Sequence, residues 1–257
     1  AFFVVGFPGL AVALVVRLSI REPPRGLAEQ RSARASSPKL REVLRYLWSL
    51  STFRHANMAA AFVSLTIYSM NTWAPAFLVR VHGMSYTKVG LYYGLVAGGI
   101  GGLGAYVGGA LCDLLQQRDA RFAVWIPALG GVLAIPFAAA FLLWPDARIA
   151  LLFYAPAALF CNLYNGLIWS ITQSLVGLRM RALASAVILF VVNLVGLGFG
   201  PLVIGMLNDA LAPRVGVHAI RYSLLMTIVI ANLWGVVHWL LAARSIRADL
   251  ERARTLD

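Results

Sequence analysis

Residues 162–176 run Asn162-Leu-Tyr-Asn165-Gly-Leu-Ile-Trp169-Ser-Ile-Thr172-Gln173-Ser-Leu-Val176. Asn162, Asn165, Trp169, Thr172 and Gln173 are spaced +3, +4, +3 and +1, so a helix places them along one face. They sit in the run Ile149–Val176, which has no Asp, Glu, Lys or Arg. A helix needs roughly 20 apolar residues to cross a bilayer core of about 30 Å, and this run is long enough. Polar side chains at that depth are costly, so they face other helices or a wet cavity. The run His55–Val79 has the same character, with Asn57, Ser64, Tyr68 and Asn71 at +7, +4 and +3.

Five further runs flank these two: Ala1–Ile20, Val89–Leu111, Ala123–Trp144, Ala182–Leu207 and Tyr222–Ala243. Only Arg17, His55 and His238 can carry charge inside the seven, and each lies near an end. Polar content cycles twice through the last six. A polar run (His55–Val79) is followed by a Gly-rich one and then an apolar one, and the sequence restarts at Ile149. Corresponding starts are offset by 94, 93 and 99 residues. Three helices per unit give successive units opposite topology, the inverted-repeat construction of many secondary transporters. The expected fold is therefore an all-α polytopic membrane protein with seven transmembrane helices, one plus a six-helix bundle over 55–243. Its two inverted units are 55–144 and 149–243. Two stripes at equivalent places in a repeat favour a cavity over simple interhelical glue.

Composition agrees. Of 257 residues, 60% are hydrophobic and 12% charged, with a mean hydropathy of +0.78; soluble domains carry about 25% charged residues. A water-soluble enzyme, a nucleic-acid-binding domain and a disordered chain are excluded. The formal net charge of +12 has a membrane explanation, because basic residues gather on cytoplasmic loops. Cys112 and Cys161 make neither a disulfide framework nor a metal motif. The sequence opens without Met inside an apolar run; the expectation is part of a longer protein with no signal peptide.

If the seven runs alternate direction, one side collects residues 21–54, 112–122, 177–181 and the tail 244–257, with 16 Lys and Arg. The other side, 80–88, 145–148 and 208–221, has 5. The first side is then cytoplasmic, and so is the C-terminus. Within 21–54, the Arg-, Pro- and Ser-rich stretch 21–37 is a linker. Leu40, Val43, Leu44, Leu47 and Trp48 then recur at helical spacing, giving an amphipathic helix over 38–50. It either lies in the membrane interface or packs under the bundle. In the Gly-rich runs, Gly90, Gly94, Gly98 and Gly102 fall four apart, with Gly104 and Gly108 on a neighbouring line. This spacing predicts a close helix–helix seam. Gly196, Gly198, Gly200 and Gly205 predict a second seam, with a kink at Pro201, which lacks a backbone donor.

The whole chain resembles the C-terminal part of a major facilitator superfamily transporter, as its sixth helix plus helices seven to twelve. The opening Ala-Phe-Phe-Val-Val-Gly-Phe-Pro-Gly (1–9), Arg21-Glu-Pro-Pro-Arg-Gly26, and Gln173-Ser-Leu-Val-Gly-Leu-Arg179-Met-Arg181-Ala182 running into Gly196–Pro201 are similar to spinster-like members. Gly109-Ala-Leu-Cys-Asp113, followed by Arg118 and Arg121, resembles the superfamily's cytoplasmic loop motif. Leu114 replaces a common basic residue there and Gln116 a common Gly; before Arg179-Met-Arg181, Gly177-Leu178 stands where related sequences often have a Pro pair. The resemblance implies alternating access between two six-helix halves. It implies a substrate path lined by Ser64, Tyr68, Asn71, Asn162, Asn165, Trp169 and Gln173. It implies cytoplasmic gating by Asp113, Arg118, Arg121, Arg179 and Arg181. A small amphipathic solute, of the lysolipid or sphingolipid-like kind, would suit Tyr68, Trp73, Tyr164 and Trp169.

The implied partners are the lipid bilayer and an N-terminal half; no nucleic acid, cofactor or metal is expected. The implied place is a bacterial inner membrane. A seven-helix receptor is the alternative, but it has no reason to carry an inverted repeat. A retinal pump needs a lysine in its last helix, and Lys39 and Lys88 are the only lysines. No protease motif occurs. No run holds an Asp or Glu, so a proton-coupling carboxylate, if used, belongs to the other half.

Overall fold

The computed structural model describes residues 2–19 and 39–255, and every regular element among them is helical. The chain forms two compact units, Ala1–Ser37 and Pro38–Asp257. In the first, α1 spans Phe2–Ser19 and keeps Arg17 in its last turn, where the helix dipole favours a cation. The Arg21–Gly26 motif and the linker over 21–37 lie outside the described residues.

The second unit begins with α2, Leu40–Ser49. The Lys39 N–H donates to the Glu42 carboxylate at 3.2 Å, closing its N-terminus. Val43 and Leu47 are fully buried, while Leu40, Leu44 and Trp48 form an exposed apolar edge. The helix therefore packs under the bundle along one line and leaves a second apolar line uncovered. Tyr46 ties it down by donating its hydroxyl to the Leu175 carbonyl at 3.1 Å.

Six long helices follow. α3 is Ser51–His82 and stops at Gly83, whose φ of 64° needs a residue without a Cβ. α4 is Tyr86–Leu115, α5 Phe122–Leu143 and α6 Ala147–Ser174. The one-residue break in α6 falls at Leu163, between Asn162 and Tyr164. α7 runs continuously through Arg181–Val192, Asn193–Phe199 and Gly200–Val215, and α8 covers Ala219–Arg254. Tyr86–Leu115, Phe122–Leu143, Ala147–Ser174 and the stretch Leu178–Arg254 are long and apolar enough to cross a membrane. The polar stripe of α3 lowers its mean hydropathy, and α3 is absent from that set.

Both Gly-rich helices contain a π-helical turn, Val96–Ile100 in α4 and Asn193–Phe199 in α7. A π turn inserts about one residue, which rotates everything after it by roughly 100°. The expected seam forms along only one of its two lines. Gly90, Gly94, Gly98 and Gly102 face open space; Gly101, Gly104 and Gly108 face α6 instead. A Cβ on Gly104 or Gly108 would strike the carbonyl of Leu159 or Leu163. The second seam falls where the glycines predict it, with Gly196 against Ser64 and Tyr68 and Gly200 against Leu65 and Ser69 of α3.

Packing is reciprocal. α3 contacts α7 and α8, and α6 contacts α4 and α5, while α5 and α8 meet each other. Each polar helix thus lies between the Gly-rich and apolar helices of the sequence triplet it does not belong to at one or both sides. Two apolar cores result, one around Val43, Leu47, Phe53, Leu167, Ile188 and Trp239, the other around Phe77, Leu78, Phe141, Tyr154, Ile204 and Ile228. The segment 244–257, expected as a tail, continues α8 to Arg254 and buries Ile246 and Asp249.

Candidate functional site

The two polar stripes meet in a cavity of about 90 Å³ between α3, α4, α5, α6 and α8, room for a few water molecules. Asn71 and Asn162 both line it, with Thr66, Tyr154 and Asn232. The Asn162 amide donates to the Ala158 carbonyl at 2.8 Å, which fixes its rotamer. Asn232 donates to Thr66 Oγ1 at 3.1 Å and to the Ile228 carbonyl at 2.9 Å. Above Asn71, the Tyr154 hydroxyl donates to the Tyr93 hydroxyl at 3.1 Å, and their rings stack with centroids 4.7 Å apart. The Tyr93 hydroxyl in turn lies 2.9 Å from the Met70 carbonyl and 3.4 Å from Asn71 Oδ1.

The remaining stripe residues divide by burial. Asn165 and Gln173 are exposed on α6, Trp169 is half-buried, and Tyr68 is half-buried on α3. Tyr68 reaches across to α7, its hydroxyl 3.3 Å from Asn193 Oδ1. Trp73 continues that seam by donating from Nε1 to the Pro201 carbonyl at 3.0 Å. This carbonyl lies just past the π turn. Ser64 differs: it is buried, and its hydroxyl is engaged by the carbonyls of Ala61 and Val192 at 2.8 and 3.2 Å. It holds α3 to α7 and does not line the cavity of Asn71 and Asn162.

At the α2 end, Asp113 and Arg118 are exposed, and Asp113 accepts from the Gln116 amide at 3.3 Å. Arg179 is exposed, whereas Arg121 and Arg181 are half-buried and, among the described residues, have no partner for Nε. The ion pair of this loop involves other residues. Arg247 of α8 holds Asp119 in a fork, with Nε–Oδ1 and Nη2–Oδ2 distances of 3.2 and 2.6 Å. That contact, with the Arg121 N–H, keeps the Asp119 carboxyl below the usual range. Asp249, 3% exposed, accepts the Thr52 N–H at 2.8 Å and so caps α3 from another helix. At the opposite end Asp146 caps α6, accepting from the Arg148 and Ile149 N–H groups at 2.9 and 3.0 Å. The backbone donors lower its pKa as well.

Sequence reasoning missed Asn232, Thr66, Asp119, Arg247 and Asp249. A single Asn inside the apolar run Tyr222–Ala243 is a readable signal for Asn232. The Asp119–Arg247 and Thr52–Asp249 pairs span 128 and 197 residues, and no local pattern announces them.

Residues 1–201 match the Major Facilitator Superfamily. The chain is 37% identical over 195 residues to an MFS-type efflux pump of Mycolicibacterium smegmatis, covering 76% of this chain and 45% of the pump. It is 24% identical over 267 residues to Protein spinster homolog 3 of Danio rerio, covering 96% of this chain and 53% of that protein. It therefore spans about half the length of these curated relatives. Crystal structures of a bacterial homologue of the human lysosomal transporter Spinster, inward-facing and either unoccupied or occupied, align over 96% of this chain. They do so with TM-scores of 0.73 and 0.72, at 27% and 26% identity, over 59% and 58% of their own length. The chain, similar in structure to these spinster homologues, belongs to the Major Facilitator Superfamily.

Proposed function

We propose that this integral membrane chain forms the C-terminal half of a secondary transporter, together with the helix that precedes that half. The transporter moves a small amphipathic or organic solute, of the lysolipid or sphingolipid-like kind, by alternating access. The observation that carries this is the meeting of Asn71 and Asn162, one from each stripe, at a single cavity. In this proposal α1 and α3–α8 are seven crossings. Residues 55–144 and 149–243 are inverted repeats, which the paired π turns and the reciprocal packing support. Tyr68, Asn71, Asn162, Asn165, Trp169 and Gln173 line the path, and Ser64 braces it. Asp113, Arg118, Arg121, Arg179 and Arg181 form one side of the cytoplasmic gate against the N-terminal half. The prokaryotic sources of two of the similar proteins support a bacterial inner membrane. The family match gives a receptor no support.

Single cysteines test the path, in a full-length background with Cys112 and Cys161 replaced. Asn71→Cys and Asn165→Cys are expected to react with a charged, water-soluble thiol reagent. Leu129→Cys, on the apolar surface of α5 and 59% exposed there, is expected to stay unlabelled in a bilayer. Equal labelling at all three positions would overturn the path.

A further inference from the structure

The geometry points to a binding site for the headgroup of an anionic phospholipid where α2, α3 and α8 meet. A cavity of about 480 Å³ opens there, lined by Trp48 of α2, Arg54, His55, Asn57 and Met58 of α3, and His238 of α8. It lies away from the cavity that holds Asn71 and Asn162, and no residue assigned to the path or the gate lines it.

Arg54 lines this pocket, and further cations stand on the neighbouring helix. Arg54 is exposed and, among the described residues, has no carboxylate partner; the ion pairs found there are Arg247–Asp119 and Arg252–Asp249. It sits in the opening turn of α3, where the helix dipole disfavours a cation and attracts an anion. Its guanidinium therefore gains nothing from its own helix, whose opening N–H of Thr52 is already held by the Asp249 carboxylate, and it stays available to an outside anion. Arg41 and Arg45 are exposed on the neighbouring α2.

The histidines supply a donor. His55 Nδ1 and His238 Nδ1 lie 2.9 Å apart, so one ring donates to the other. A neutral ring that accepts at Nδ1 must carry its proton on Nε2. The pair thus always has at least one Nε2–H beyond its own hydrogen bond.

The surroundings suit the rest of a lipid. Trp48 is 60% exposed at the mouth, and Leu40 and Leu44 extend its apolar line along α2. Trp234, Val237 and Leu240 leave an uncovered apolar strip on α8 beside His238, where an acyl chain can lie. Tryptophan is the residue that favours this headgroup depth. The basic side of the sequence, with 16 Lys and Arg against 5, includes this end of the bundle, and the cytoplasmic leaflet is the anionic one. Cations, a ring donor and an adjoining apolar strip match a phosphate diester with its chain attached, and a free anion would leave the strip unused. The inference rests on the proposed sidedness only for the leaflet that supplies the lipid, and it needs no transport.

The full-length protein is reconstituted in nanodiscs of phosphatidylcholine with a minority of phosphatidylglycerol, released into detergent, and its retained lipids counted by native mass spectrometry. Phosphatidylglycerol is expected to be retained in preference to phosphatidylcholine. Arg54→Gln, a change at an exposed position, is expected to lower that preference about fivefold, the effect of one cation at a membrane surface. Arg214→Gln, at the opposite end of α7, is expected to leave it unchanged. No preference in the unmodified protein, as when another stretch of protein covers the pocket, overturns the site. So does a preference that survives Arg54→Gln. Loss of transport with the lipid preference intact bears on the proposed function alone.

Discussion

Gly104 lies against the Leu159 carbonyl with no space for a Cβ, whereas Gly102, in the same turn of α4, has open space beside it. The two therefore respond to the same substitution with different signs. Gly104→Ala must push α4 off α6, and overpacking of this kind costs about 1–3 kcal/mol. Gly102→Ala meets nothing and removes a helix-weakening glycine, so it is expected to be neutral or to stabilise by up to about 1 kcal/mol. Unfolding of both variants in detergent measures the difference. The sequence shows which residues are small, and its four-residue spacing predicts a seam. It does not show that the contact with α6 falls on Gly101, Gly104 and Gly108 and leaves Gly90, Gly94, Gly98 and Gly102 open, because the spacing marks both lines alike. The polar stripes were more legible. Asn71 and Asn162 could be assigned to helix faces from spacing alone, and the repeat gave them equivalent places. Ser64 shares the stripe of Asn71, but Gly196 brings α7 close enough to bury it.

The end of α8 shows how an element can differ from its hydropathy profile. After Ala243 the sequence becomes charged, and apolar periodicity stops being informative about where the helix ends. The helix persists for three more turns because Ile246 and Asp249 have places to go. Asp249 supplies the acceptor that the start of α3 lacks, since Leu50 occupies the N-cap position and has no polar side chain. Asp249→Ala leaves the Thr52 N–H unmet in a buried setting. The expected cost is about 1 kcal/mol, in the range of lost helix caps. Thermal unfolding of the variant against Glu251→Ala, an exposed neighbour, separates the cap from general effects at the helix end. Pairings of this kind join segments 129 and 197 residues apart, which is why neither α2's Tyr46 contact nor this cap could be read in advance.

On the scale of the whole molecule, the fold followed from the sequence because charge, length and repetition are collective properties. Long uncharged runs mark the helices, and the Lys and Arg imbalance gives them the direction proposed above. That direction is open to a simple check in the full-length protein. A green fluorescent protein joined after Asp257 is expected to fluoresce, and alkaline phosphatase at the same place to be inactive; the reverse pattern would invert the proposed topology. The reciprocal packing carries a different consequence, one of timing. The partners that Ser64 and Tyr68 use, Val192 and Asn193, belong to α7, which begins at residue 181 after α3 has ended at 82. At ordinary rates of translation that separation is on the order of ten seconds. During that interval α3 is complete but its cross-helix partners have not yet been made, and its polar edge needs temporary shelter from lipid, in the insertion machinery or against helices made earlier.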